Sequence, residues 1–549
     1  MNGNTLRRIA LPVIAAVSVA LLLPQQSSAA IQVSAPATEV PEQPAAAGEI
    51  GPIGPGTYES APDQYRIIEN DVPSGLMTRS HLVTGEGAGA AQALDAPANR
   101  PDLGVFGPSW TAEFLGGQLN RELTHGSGAI TTTDLGVDES VRYGLTWSMD
   151  RPDGGSLSTY TAPDGSTLVE SSIWDDAAGE LRTTITETAN IDLATAPEGD
   201  DVPVNALGEP IPAADLKPTL VWKQVNGSGS TWRVTSVGTE AFGKSTAEYD
   251  AQGRVRQVDE PARGDYEAQS VRVTYASATT AAGSTLGDVA GQVKEITTSS
   301  GATVQTQARY AYDHTGLLRR VTNPAADVEL NTYAYDANER LSVATTDEGA
   351  RWELTYAGET AAPQATETTG TLPEPGGEAP GAPSQNEPEG QAPAAEDFLG
   401  SEIEDPFAYP ANCNTSGSWM YYSGSGCSTK VAHYGWKNPS WKTTKAGWKV
   451  RGIDHDHCTT SPDKPGGYDF RPACDSHDYG YGTVGNAYKG YRYYLDKNKG
   501  LQVDATFWNQ TYNGVCRGYF WKGACRLAAN VYLGAVMVVG RVKSGANAT

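Results

Sequence analysis

Two short clusters near the C-terminus carry most of the ionisable chemistry. They are Asp454-His455-Asp456-His457-Cys458 and Cys474-Asp475-Ser476-His477-Asp478-Tyr479-Gly480-Tyr481. A further acid, Asp504, sits in LQVDATFWNQTYNGVC, where Leu501, Asp504, Trp508 and Thr511 share one helical face. On a helix that begins near Phe470, positions 474, 477, 478 and 481 lie on one side. A tether from Cys474 back to the Cys458 loop would bring Asp456 close to Asp478, two hard oxygen donors across one cavity. Two carboxylates with backbone carbonyls and water suit Ca2+, which accepts about six to eight oxygens. His477 would then point beside the ion, where an imidazole takes a proton from water if a carboxylate fixes its other nitrogen. Asp504, on a second antiparallel helix, is the candidate for that role. Taken alone, His477 reads as a hydrogen-bonded structural histidine.

The charge distribution places this chemistry in a separate body. The 549 residues carry a formal net charge of −25. Residues 411–549 hold 17 Lys+Arg against eight Asp and no Glu, a net of +9, and positions 1–410 hold 23 basic and 57 acidic residues, a net of −34. Such halves exclude a uniformly acidic disordered chain and a whole-chain nucleic-acid binder. All six cysteines, Cys413, Cys427, Cys458, Cys474, Cys516 and Cys525, lie in the basic end. Six half-cystines allow about fifteen pairings, so their number sets no connectivity. Confined to one small region, they read as a disulfide framework in an oxidising compartment. Residues 1–30 supply that compartment. Arg7 and Arg8 precede the apolar Ile9–Leu23 stretch, and Ser27-Ser28-Ala29-Ala30 offers small cleavage-site residues, the pattern of a signal peptide. The mature chain is expected to be secreted, extracellular or associated with a cell surface.

Between the two ends the chain divides by composition. Residues 31–100 read as a flexible Pro/Ala/Gly-rich lead-in. Residues 101–358 change to short alternating segments rich in Val, Thr, Tyr and Trp, broken by Gly, Asn and Asp, which predicts a β-rich region. Within it, Tyr249-Asp250-Ala251-Gln252-Gly253-Arg254-Val255 is echoed by Tyr312-Asp313-His314-Thr315-Gly316-Leu317-Leu318 and by Tyr335-Asp336-Ala337-Asn338-Glu339-Arg340-Leu341. A Tyr-Asp at a strand end, a turn and an apolar return strand make a hairpin, which must stack to bury its face. The pattern resembles the YD repeats of the Rhs family, as does Phe106-Gly107-Pro108-Ser109-Trp110. So few copies argue against a closed shell and leave an ordinary β-sandwich with chance Tyr-Asp pairs as the alternative; whether the region encloses the C-terminal part stays open at this level. Residues 359–408 are Pro-, Gly- and Glu-rich with few large apolar side chains, and read as a disordered acidic linker. Residues 409–549 then form one compact, mainly α domain.

Asp456-His457-Cys458, then Cys474-x-x-His477-Asp478-x-x-Tyr481, then Asp504, resembles secreted phospholipase A2, particularly its small bacterial branch. The resemblance implies that His477 is the general base and that Asp504 holds its tautomer. It implies that Tyr481 braces the network, and that Asp456, Asp478 and the main-chain oxygen of His457 bind Ca2+. It implies hydrolysis of the sn-2 ester of glycerophospholipids at a phospholipid membrane surface, with no nucleic acid as partner. It also implies the bridges Cys458–Cys474 and Cys516–Cys525, with Cys413–Cys427 as an extra one.

The chain departs from that family in three places. The spacing from His477 to Asp504 is long, which makes Asp496 a rival. His457 stands where a non-titrating residue is usual, leaving its side chain for another purpose. The segment 411–451, with Trp419, Trp436, Trp441 and Trp448, has no counterpart; its Lys-Trp pattern suits an anionic lipid interface or a plain solvated surface. Two other classes compete. Ile453-Asp454-His455-Asp456-His457-Cys458-Thr459 resembles the active segment of endonuclease VII-type nucleases, which would make the chain a Rhs-type toxin ending in a metal-dependent nuclease. The zinc-binding CxxC pairs of that family are absent. A non-enzymatic β-rich surface-binding protein is the third class. The preferred reading is a multidomain protein in which a β-rich, YD-repeat-like region precedes a small, disulfide-stapled, phospholipase A2-like domain.

Overall fold

A computed structural model of the chain describes residues 50–72, 76–85, 89–194, 202–205, 207, 209–225, 231–263, 267–324, 328–345, 351–368, 420, 440–452, 457–458, 461–487, 497–519 and 522–537. The expected signal peptide and the Cys413–Cys427 bridge lie outside these residues, as does the linker from residue 369 on. All the described residues fall within one compact unit. No helix among them is long and apolar enough to cross a membrane.

The YD units are built as hairpins, and their chemistry is repeated. Asp250, Asp313 and Asp336 each cap their own turn and accept a hydrogen bond from the Nε of Arg254 (2.8 Å), Arg319 (2.6 Å) and Arg340 (2.7 Å) respectively. Each guanidinium then covers a tyrosine on a following strand, at 3.9 Å for Tyr275, 5.0 Å for Tyr335 and 4.5 Å for Tyr356. The hydroxyls of Tyr249, Tyr312 and Tyr335 donate to the carbonyls of Val234, Val293 and Leu318 on the strand before. Every unit is therefore tied to its neighbours by one stacked cation and one buried phenol, so stacking propagates along the chain. Eighteen consecutive antiparallel strands, from Arg121–Gly126 to Pro363–Glu367, close into a barrel. The shell is closed, with far more strands than the three obvious repeats suggest.

Two boundaries are corrected. The region expected to be flexible up to residue 100 contains the strands Ile50–Ile53, Gly56–Ser60, Asp63–Asn70, Met77–Thr84 and Gln92–Ala93. They form a sheet completed by Trp110–Phe114, so residue 101 is no domain boundary. The Pro/Ala/Gly average over residues 31–100 hides alternation in its second half, where Tyr65, Ile67, Met77 and Val83 are fully buried. This sheet packs on the last barrel strands. The Arg79 guanidinium bonds Asp71, Asn331 and Tyr333, and Trp110 donates to the Tyr335 hydroxyl at 2.8 Å. At the other end, Pro363–Glu367 pairs with Arg351–Tyr356, so the β region passes residue 359.

Among the described residues the C-terminal region is mainly helical, as expected, with three helices: α1 (Arg471–Ala487), α2 (Lys497–Asn509) and α3 (Lys522–Ala535). A π-helical segment, Gln510–Val515, continues α2. One hairpin lies beyond the sequence expectations: Ser440–Thr443 pairs with Lys449–Gly452. It uses part of the Trp-Lys segment. Trp441 stays 38% exposed under the Arg451 guanidinium, while Trp448 packs so close to Gly514 that a Cβ there would meet its ring at 3.0 Å.

The helical region is docked on the shell by charges of opposite sign. Arg517 bonds Glu59 at 3.0 Å, Arg526 approaches Asp134 at 3.5 Å, and all four side chains are buried. The amide of Gly523, in the first turn of α3, donates to Glu139 at 2.7 Å, so a shell carboxylate caps that helix. Apolar contacts fill the remainder, with Gly116 against Trp508 and Gly534 against Phe242. The net charges of −34 and +9 thus meet in a specific interface.

Candidate active site

Helix α1 starts where Asp469 stops the preceding turn; its carboxylate accepts from the Arg471 amide at 3.3 Å and holds the Arg471 guanidinium. The amides of Ala473 and Cys474 bond the Phe470 carbonyl and lead into the first turn. Cys474 is bridged to Cys458, and Cys516 to Cys525, so both pairings implied by the resemblance are present. The first staples the loop ending at His457-Cys458 to α1, and the second ties the end of the π segment to α3.

One turn past Cys474, the His477 Nε2 lies 2.8 Å from the Asp504 Oδ1. His477 is 6% exposed and Asp504 fully buried. The two helices meet closely because Gly480 has no side chain: a Cβ there would come within 2.7 Å of Val503. Phe507 lies beside the imidazole with ring centroids 5.0 Å apart, and Gln510 donates to the Ser476 hydroxyl at 3.0 Å. An ionised carboxylate only accepts, so Asp504 requires the proton on Nε2 and makes Nδ1 the basic nitrogen of the ring. Asp504 is therefore the acid at His477; its rival Asp496 lies outside the described residues.

The other expected site residues divide. Asp478 is half-buried on α1. Tyr481 falls in α1, with only its backbone described. Asp456 lies outside the described residues, and among those that are described no group of three or more metal-ligating side chains gathers. The His457 side chain, expected to serve another purpose, is engaged within the domain. Its Nδ1 is 2.6 Å from Asp475 Oδ1, and Lys442 Nζ is 3.3 Å from Asp475 Oδ2. Burial holds the Asp475 carboxyl above its ordinary range, with His457 and Lys442 pulling it back. His457 adopts φ +55°, which costs a non-glycine residue about 1–2 kcal/mol. The sequence motifs alone assign no role to Asp475 or Lys442. Asp475 sits inside the motif, but nothing local ties it to a lysine 33 residues upstream.

Residues 429–540 match the model of the prokaryotic phospholipase A2 family. This stretch is a phospholipase A2-type domain. A segment of 82 residues, 14% of the chain, is 43% identical to a secretory phospholipase A2 of Arthroderma benhamiae. The chain spans about half (51%) of that relative. For the fold as a whole, similar structures include the Photorhabdus luminescens Tc holotoxin pore, a TccC3 D651A mutant. It has 11% identity and a TM-score of 0.14, covering 55% of this chain and 20% of that one. Another is the crystal structure of TcdB2-TccC3-Cdc42, at 12% identity and a TM-score of 0.15, covering 78% of this chain and 25% of that one. Scores this low carry no argument about the shell, whose description rests on its own strands.

Proposed function

We propose that the phospholipase A2-type domain hydrolyses the sn-2 ester of glycerophospholipids at a membrane surface, as part of a secreted protein. The observation that carries this reading is the buried His477–Asp504 pair inside the stretch that matches the family. His477 acts as general base: Nδ1 takes a proton from water, while Asp504 keeps the Nε2 proton in place and stabilises the imidazolium that forms. Tyr481, one turn beyond His477 on α1, steadies the pair. The donor set supports a hard cation, because Asp456, Asp478 and the His457 carbonyl offer only oxygens, and the Cys458–Cys474 bridge ties the residue after His457 to α1. Bound calcium would supply Lewis-acid stabilisation of the phosphate and of the oxyanion. The secretory relative and the pattern of residues 1–30 support export.

The test is hydrolysis of phosphatidylcholine vesicles by the full chain, with Ca2+ and with a calcium-selective chelator. Release of sn-2 fatty acid that stops on chelation and returns with Ca2+ is the expected result. Activity restored by Zn2+ alone, or cleavage of DNA in place of lipid, would overturn the reading.

A further inference from the structure

His457 and Asp475 are joined directly beside a disulfide. Cys458 is bridged to Cys474, and the next residue on each side, His457 and Asp475, meets through a 2.6 Å bond from Nδ1 to Oδ1. A single disulfide leaves a loop free to rotate about its own bonds. A second contact, one residue away on both segments, removes that rotation. Asp475 is well placed to serve as the fixed end. It is 3% exposed, its Oδ2 faces Lys442 of the hairpin at 3.3 Å, and a Cβ on Gly452 would meet its side chain at 2.9 Å. The carboxylate is thus enclosed by the hairpin, by α1 and by the His457 loop. His457 holds a left-handed backbone, φ +55°, that a non-glycine residue adopts only under an outside constraint.

We propose that Asp475 is a positioning residue for divalent-cation binding. Through the His457 imidazole it holds the His457 carbonyl in one orientation relative to α1 and Asp478. The proposal rests on the calcium reading above and assigns Asp475 no contact with the ion or the substrate. A group that orients a ligand typically contributes a factor of about 10–100 to metal affinity.

Calcium titration of the full chain by isothermal calorimetry, with CaCl2 as the only ligand, reads this directly and without hydrolysis. Asp475→Ala is expected to weaken Ca2+ binding about tenfold or more. His457→Gly, which suits the left-handed backbone but lacks the ring, should weaken it by a similar factor. The double variant should lose no more than either single one, because both break the same link. Asp475→Asn keeps the shape of the side chain and carries the test if the alanine variant does not fold. In hydrolysis, the half-saturating Ca2+ concentration should rise by more than the rate at saturating Ca2+ falls. A merely structural Asp475 would lower the melting temperature and leave Ca2+ affinity at the wild-type value; that result overturns the proposal alone. A wild-type chain that binds no Ca2+ overturns the calcium reading, and the proposal with it.

Discussion

Gln118 of the shell donates a hydrogen bond to the Tyr512 hydroxyl at 2.8 Å, although 394 residues separate them. Tyr512 lies in the π-helical continuation of α2, the helix that carries Asp504. Its ring is also covered by the Arg526 guanidinium of α3 at 4.3 Å. The shell therefore bears directly on the element that supplies the acid of the His477 pair, and the barrel and the helical domain fold against each other as one packed body.

The roles of base, orienting acid and cation ligand separate by substitution. His477→Asn is expected to reduce phospholipid hydrolysis by about 10²–10⁴-fold while leaving Ca2+ binding near wild type. Asp504→Asn should lose less, since the base and the cation ligands remain. Asp478→Asn should lose activity together with Ca2+ affinity. Initial rates on vesicles, with calorimetry for Ca2+, distinguish the three. A His477→Asn variant that folds and keeps near wild-type hydrolysis would make the assigned mechanism wrong.

The staple at the loop should matter twice. Replacing Cys458 and Cys474 by alanine opens a loop of 16 residues, with an expected cost of about 3 kcal/mol in stability. Ca2+ affinity should fall as well. Denaturant unfolding and Ca2+ titration of the double variant check both. A loss of stability at unchanged Ca2+ affinity would show that the bridge does not shape the loop.

Acid should weaken the shell through His81. It is fully buried, its Nδ1 lies 2.9 Å from the Ser109 carbonyl, and its Nε2 accepts from the Leu341 amide at 3.3 Å. The Nδ1–H can donate to Ser109 in either protonation state, but the Nε2 contact requires the neutral ring, because an imidazolium has no acceptor; burial lowers the pKa of His81 to about 4. The unfolded value is about 6.5, so the native state resists protonation that the unfolded chain accepts. The stabilisation is complete above pH 6.5 and is lost as the pH falls towards 4. The expected loss is on the order of 3 kcal/mol. Denaturant unfolding at several pH values should show this slope in the wild type and a shallower one in His81→Gln.

Docking of the two parts should be sensitive at Gly116 and Arg517. Gly116 has φ +61°, and a Cβ there would lie 2.0 Å from the Trp508 ring. Gly116→Ala should displace Trp508 and raise amide exchange across α2. Gly128→Ala, also at positive φ but with open space around it, should not. Arg517→Met leaves Glu59 buried without its cation and should cost about 3–5 kcal/mol. Combining it with Glu59→Gln should recover part of that loss.

The local pattern of residues determined a good deal about this protein. The Tyr-Asp turns are legible because Asp, Arg and Tyr act within one hairpin and its neighbour, over four to about twenty-five residues. The helix bearing Cys474, His477 and Asp478 is legible because helical spacing places them on one side. The charge division is a matter of composition; that the two signs meet in a buried interface is not contained in it. What the tertiary structure decided has no local signature. The sheet of residues 50–93 is held by Arg79 reaching Asn331 and Tyr333, more than 250 positions away. Barrel closure depends on all eighteen strands pairing in sequence, of which three repeats are a small sample. Asp475 meets Lys442 only because the hairpin Ser440–Gly452 folds back on α1. Spacing along the chain dictates which side chains share a face. Which faces meet is set by the burial and charge complementarity of the whole chain, and no short window of sequence contains both partners.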